Sequence, residues 1–307
     1  MRVLVTGGAG FIGSHTVDAL VARGDDVVAL DDLSTGSERN LNSRARFERL
    51  DVRAAGAAEL IRSLRPQAIV HLAAQVSVSR SVREPVFDAE VNVMGSLNVL
   101  GAAADAGARV VFASTGGALY GDTEQLPTPE DHPTWPVSPY GIAKLAVEHY
   151  LHGFAAQRGL SYAALRYANV YGPRQDPHGE AGVVAIFSRA LVEGRTPMIH
   201  GPGTDTRDYI HVSDVVAANL AAVDDDRNGH YNVGSGEQTD VNTVLEILAG
   251  SLGVPGQAEH GPPRAGDLRA SALDSAKLRS ELGWAPRVAV RDGLRETALW
   301  FKAEVAA

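Results

Sequence analysis

The sequence predicts an α/β fold, a doubly wound parallel sheet followed by a smaller C-terminal α/β substrate-binding domain. Three observations predict it. Continuous apolar runs of strand length alternate with helical stretches through the first half of the chain. A glycine cluster follows the first of these runs. The alternation then loosens after about residue 170, where long Gly/Pro-rich loops occupy 172–182 and 259–267.

Each element has its own signal. Residues 2–6, RVLVT, are an unbroken apolar strand, and 14–24 set Val17, Leu20 and Val21 at helical spacing before Gly24, a helix C-cap. Residues 26–31 form the next strand, 46–52 a weaker one, and 57–66 a helix stopped by Pro66. Strand 68–74 precedes a long helix, 86–107, closed by Gly107. Strand 109–114, helix 140–159 and the segment 161–172, which contains a further strand, complete the pattern. Buried continuous strands separated by helices imply parallel pairing with right-handed crossovers. The expected division is 1–166 for the first domain and 167–307 for the second, with some later segments returning to the first.

The bulk properties narrow the function. The chain has 307 residues, 45% hydrophobic and 21% charged, an ordinary globular composition. A formal net charge of −9 argues against a nucleic-acid groove. With no cysteine, disulfide and thiolate chemistry are excluded. Charges, glycines or prolines interrupt every apolar run before it reaches membrane-spanning length, and no leader pattern precedes the first strand, so no membrane partner and a cytoplasmic location are expected.

The glycine cluster carries the first chemistry. Gly8-x-Gly10-x-x-Gly13 fits a dinucleotide-binding fingerprint, and Gly7-x-x-Gly10-x-x-Gly13 fits its short-chain dehydrogenase form. Between a strand and a helix, such glycines let the backbone approach a pyrophosphate at a positive helix N-terminus. Gly7, Gly10, Phe11, Ile12 and Gly13 are therefore candidate cofactor contacts. Asp31 ends the second strand 18 residues beyond Gly13, where a carboxylate takes ribose hydroxyls and repels a 2′-phosphate. Asp32 follows, with no arginine close by, which favours NAD over NADP. Asp51 and Val52 are placed to flank the adenine. Tyr140 and Lys144, four apart at the start of a helix, share one face, where a cation and a helix N-terminus lower a phenol's pKa.

With these motifs in order, the chain resembles the extended short-chain dehydrogenase/reductase family, and most of all its NAD-dependent nucleotide-sugar epimerases of the UDP-glucose 4-epimerase type. The resemblance runs through TGGAGFIGSH, HLAAQ, NVMGSLNVL, STGGALYG, SPYGIAKLAVE, LRYANVYGPRQ, RDYIHVSDV, YNVGSG and RAGDLRAS. It implies a Rossmann NAD-binding domain and a UDP-sugar substrate. Tyr140 would take the sugar O4 proton while the C4 hydride passes to NAD, and the resulting 4-keto sugar would turn and be reduced on its other face. Lys144 would hold the nicotinamide ribose. Leu72, Ala73, Ala74 and Gln75 would line the cofactor groove, with Asn92 and Tyr167 near its reactive end. Asn169, Arg207 and Arg264 would meet the diphosphate, and Asp267 the nucleotide ribose.

The resemblance also raises a problem of register. The family's relay hydroxyl falls on Gly116 when counted back from Tyr120, and on Thr115 when counted forward from Phe112. The strand is the rigid reference, so an inserted glycine and a relay at Thr115 are expected, with Ser114 as the alternative. Ser271 stands where some relatives carry tyrosine, which suits a larger N-acetyl sugar. Arg80 and Arg174 lie in segments able to approach a C6 carboxylate, so a UDP-uronic acid 4-epimerase is the other alternative. A 4,6-dehydratase would need an acid/base pair where this chain has Gly116-Gly117, and a reductase would exchange its cofactor. His71, His200 and His211 lack partners at metal spacing, and no metal is expected. Helices 86–107 and 140–159 carry apolar residues on more than one face, as expected of a homodimer packed through a four-helix bundle.

Overall fold

A computed structural model describes residues 1–178, 182–263 and 268–306. The apolar runs become the strands β1 (Arg2–Thr6), β2 (Asp26–Asp31), β3 (Arg46–Arg49), β4 (Ala68–His71), β5 (Arg109–Thr115) and β6 (Tyr162–Tyr167). Between them lie α1 (Phe11–Arg23), α2 (Ala55–Leu64), α3 (Val78–Arg83), α4 (Pro85–Ala89), a π-helical turn at Glu90–Gly95, α5 (Ser96–Ala106), the short α6 (Gly117–Tyr120) and α7 (Pro139–Arg158). Gly24, Gly107 and Gly159 close α1, α5 and α7 in the left-handed conformation that glycine adopts without a Cβ clash. The helix expected at 86–107 is thus interrupted by the π turn, and α3 and α6 appear where no helix was expected.

The second half contributes β7 (Asn169–Tyr171), α8 (Val183–Val192), β8 (Met198–His200), β9 (Thr206–Arg207), β10 (Tyr209–His211), α9 (Val212–Asp224) and β11 (Gly229–Val233). It ends with β12 (Thr239–Asp240), α10 (Val241–Leu252), β13 (Glu259–Gly261), α11 (Ala276–Leu282) and α12 (Val290–Ala306).

The central sheet has seven strands in the order β11-β6-β5-β4-β1-β2-β3. Every pairing in it is parallel. The predicted doubly wound sheet is therefore present, and its order reverses between β1 and β4, the crevice where such sheets bind ligands. Alternate residues feed opposite faces. Val3 and Val5 pack with Val17, Leu20 and Val215 under α1 and α9. Leu4, Ile69 and Phe112 pack with Ile61, Leu100 and Val147 under α2, α5 and α7. A third core joins Tyr171, Phe187, Leu248 and Leu294 around α8, α10 and α12. The second half does not stay apart from the first, because α9 covers one sheet face and β11 forms its edge. Among the described residues, no helix is long and apolar enough to cross a membrane.

Candidate active site

The site begins in the turn after β1. Gly7 sits at φ +70°, and a Cβ there would lie 2.8 Å from the Ala73 nitrogen. A Cβ at Gly13 would collide with the Gly7 carbonyl oxygen. Neither position can carry a side chain, because what each would strike is backbone. Gly10 is the N-cap of α1 and has no side chain to bond the first-turn N–H groups, which leaves the backbone at Phe11, Ile12 and Gly13 for an anion. At the end of β2, Asp31 accepts from the Ala9 nitrogen at 3.0 Å and the Leu33 nitrogen at 2.8 Å. Burial pushes its carboxyl up. Two carboxylate oxygens still have acceptor capacity for ribose hydroxyls. The uncapped helix start, the bare cradle and this carboxylate together fit a bound NAD.

Around the adenine end the fit is looser. Asp32 closes a turn by accepting from the Ser34 nitrogen and hydroxyl. Asp51 is clasped by Arg53, whose bonds hold its carboxyl below the usual range. Val52 is buried beside it. On the other side, Leu72, Ala73 and Ala74 lie half-buried over the glycine turn. Gln75 anchors that segment: its nitrogen donates to Asn92 Oδ1 at 2.9 Å, and Asn92 Nδ2 donates back to the Gln75 carbonyl. Asn92 lies in the π turn, which displaces the helix ladder so that this side chain faces the segment.

The reactive corner is built by α7 and the end of β5. Ser138 caps α7 by accepting from the Gly141 nitrogen, and Pro139 occupies the first turn. Tyr140 is half-buried in that turn. Lys144, one turn on, is buried and donates to the Ala113 carbonyl oxygen at 2.8 Å, with its Nζ 4.7 Å from the Phe112 ring centroid and 5.9 Å from that of Tyr140. The pair is thus delivered to the last residues of β5.

Ser114 and Thr115 then part company. The Ser114 hydroxyl donates to Glu148 Oε1 at 2.6 Å. Glu148 is bound in turn by Arg166, whose Nη1 donates to the Tyr120 hydroxyl at 2.8 Å; that hydroxyl donates to Asn232. Thr115 is half-buried, and among the described residues its hydroxyl has only a long contact, 3.5 Å, from the Ala118 nitrogen. Gly116 follows as the residue before α6. A Cβ there would lie 2.6 Å from Leu273 Cδ2, so Leu273 fills the place of a side chain at 116.

The acidity of this corner departs from expectation. Burial pushes the Tyr140 phenol up, and the carboxylate of Asp88 adds to the effect. Lys144 does not offset it, because its ammonium is directed at the Ala113 carbonyl and is itself brought down to about 8 by burial. The protein groups alone therefore keep the phenol protonated near neutrality. Tyr167 also turns away: its hydroxyl donates to Asn219 under α9 at 2.5 Å, leaving its carbonyl to accept from the Gly116 nitrogen.

The second half brings fewer of the expected residues together. Asn169 is exposed at the start of β7. Arg207, half-buried on β9, has no carboxylate partner among the described residues and donates only to the Thr206 carbonyl. Arg174 is tied to Asp18 on α1 at 2.8 Å, and Arg80 to Glu84. Ser271 donates its nitrogen to Thr206. Arg264 and Asp267 lie outside the described residues. His71 is buried between the Thr6 and Ser96 hydroxyls, and His211 caps α9. The Glu148–Arg166 network and Asp88 were not anticipated: Ser114 and Arg166 lie 34 and 18 residues from Glu148, and the four-residue spacing of Asp88 and Asn92 does not reveal that Gln75 joins them.

Comparison with known proteins adds the family. Residues 3–234 match the model of the NAD dependent epimerase/dehydratase family. The chain belongs to that family. Within it, the chain is 48% identical over 309 aligned positions to a UDP-glucose 4-epimerase of Mycolicibacterium smegmatis, covering 98% of this chain and 99% of the relative. The fold superposes with a TM-score of 0.97 on a UDP-glucose 4-epimerase of Thermotoga maritima solved with UDP-glucose, at 47% identity, covering 99% of this chain and 100% of that one. It superposes at 0.93 on a Thermus thermophilus UDP-glucose 4-epimerase solved with NAD, at 46% identity, covering 98% and 99%. The family's shared NAD dependence agrees with the cradle described above.

Proposed function

We infer that the chain is an NAD-dependent UDP-hexose 4-epimerase. The observation that carries this reading is the delivery of Tyr140 and Lys144 to the end of β5, two strands from the glycine turn after β1, in a chain nearly half identical to such enzymes. The glycine turn and Asp31 would hold NAD, which would supply a reversible hydride acceptor for C4 of the sugar. Tyr140 exchanges the O4 proton. Thr115 relays it, since the Ser114 hydroxyl is committed to Glu148 and Gly116 has no room for a side chain. Lys144 holds the cofactor ribose. Arg207 is free to meet the diphosphate with its forked donors, joined by Asn169, Arg264 and Asp267. Arg174 and Arg80 already have carboxylate partners, which favours a neutral sugar over a uronic acid.

The test is direct. Purified protein should interconvert UDP-glucose and UDP-galactose without added reductant. Inertness toward these, their N-acetyl forms and the UDP-uronic acids would remove the reading, and turnover of the uronic acids alone would redirect it. Tyr140→Phe should retain NAD and lose roughly 10²–10⁴-fold in turnover.

A cytoplasmic homodimer belongs to the same proposal. Val82, Val86, Met94, Ile142 and Tyr150 are exposed on α3, α4, the π turn and α7, an apolar surface suited to a second copy. Sedimentation should give twice the chain mass, falling to one on Met94→Glu with Ile142→Glu.

A further inference from the structure

Two carboxylates lie near the buried Lys144 ammonium: Glu148, one turn further along α7, and Asp88 of α4, a helix that packs against α7. They are held very differently. Glu148 is neutralised by the Arg166 guanidinium, which donates to both of its oxygens, and it also accepts from Ser114. Asp88 is 1% exposed. Its Oδ1 accepts from Gln75 Nε2 at 2.8 Å and Asn92 Nδ2 at 2.9 Å, both neutral amides. Its Oδ2 is buried and has no hydrogen-bond partner among the described residues. Arg80 and Arg53, which lie over the ring of the adjacent Phe87, are committed elsewhere, to Glu84 and to Asp51 and Glu90.

A buried carboxylate with one bare oxygen is costly and calls for a cause. We propose that Asp88 is a positioning residue for the Tyr140–Lys144 pair. Its free oxygen provides the counter-charge that keeps Lys144 an ammonium, while its bonded oxygen locks Gln75 and Asn92 behind the cofactor groove. The proposal rests on the reading of Tyr140 and Lys144 given above.

The charges facing the pair define what removal of Asp88 does. On α7 they are Lys144, Tyr140 and Glu148. From β4 comes His71, which burial and the charge of Lys144 bring down to about 3, so it is neutral at working pH. Burial lowers Lys144 and Asp88 opposes it more than Glu148 does, while the same carboxylate raises the Tyr140 phenol. Without Asp88, both groups titrate at lower pH. The charged lysine is lost as pH rises through its own pKa, so that loss sets in earlier.

Asp88→Asn removes the charge and keeps an oxygen for Gln75 and Asn92, and Asp88→Glu restores the charge. Two readouts are taken from pH 6 to 9.5: the kcat/KM profile and the fraction of NAD retained after gel filtration. For Asp88→Asn, the alkaline limb set by Lys144 should move to lower pH by about one unit, and NAD retention should fall at least about threefold at pH 9 while staying at the wild-type level at pH 6.5. Asp88→Glu should return that limb toward wild type whatever its absolute rate. An unmoved alkaline limb in Asp88→Asn, the same displacement in Asp88→Glu, or NAD loss that is equal at every pH and follows a lowered melting temperature would each overturn the proposal. Full activity in Lys144→Met would instead remove the reading of the pair itself, and the proposal with it.

Discussion

Two glycine-bearing turns follow central strands of the same sheet, one after β1 and one after β5, and each opens a helix. At the first, a side chain on Gly13 would strike the Gly7 carbonyl, and one on Gly7 would strike the Ala73 backbone. At the second, a side chain on Gly116 would strike only the outer carbons of Leu273. Leu273 is held by its own backbone, which donates to Asp208, and its Cβ is 3.0 Å from where one on Gly234 would stand. Backbone excludes a side chain in the first turn, and a neighbouring side chain excludes it in the second. The first exclusion has no remedy by substitution, whereas the second is a matter of one neighbour's volume.

That contrast can be broken at several points. The largest effect should come from Gly13→Val: NAD should be absent from the purified protein by absorbance, and no second substitution should restore it. Next is Thr115→Val, which should lower kcat roughly 10²–10⁴-fold with NAD content unchanged in the same assay. Activity close to wild type would return the relay to another group. Gly116→Ser should destabilise by about 1–3 kcal/mol in denaturant titration. In a Leu273→Ala background, itself about 2–5 kcal/mol weaker, the same serine should cost close to nothing. A full cost in both backgrounds would erase the difference between the two turns. Ser114→Ala should be smallest, about 1 kcal/mol of stability and a change in kcat within a few-fold, since Arg166 still holds Glu148.

The legible parts of the site are those written in short, rigid spacings. The glycine turn, Asp31 at a strand end and the Tyr140–Lys144 pair each lie within one or two turns of chain, so strand and helix geometry place them. The helix α3 was missed because VSRSVR has a single apolar pair at helical spacing, Val78 and Val82, too short to mark a helix, and α6 because Gly116-Gly117 reads as a loop. The π turn at Asn92 coincides with its bonds to Gln75, a contact 17 residues away that no local pattern announces. Ser114 and Thr115 could not be separated by counting, because what distinguishes them is Glu148, 34 residues away from Ser114. The acidity of Tyr140 was misjudged for the same reason: spacing reveals the lysine four residues on, but neither the burial nor the carboxylate of Asp88.

The strand β11 has a consequence for how the protein is made. It closes the sheet edge beside β6, yet about 60 residues of chain separate the two. At roughly 5–20 residues per second of synthesis, a nascent chain carries β6 as an open edge for several seconds. An unpaired strand edge is a template for other chains. Stalled chains from which β6 but not β11 has emerged from the ribosome should therefore hold an aggregation-prone sheet that chaperones bind, and those long enough to have released Val233 should not.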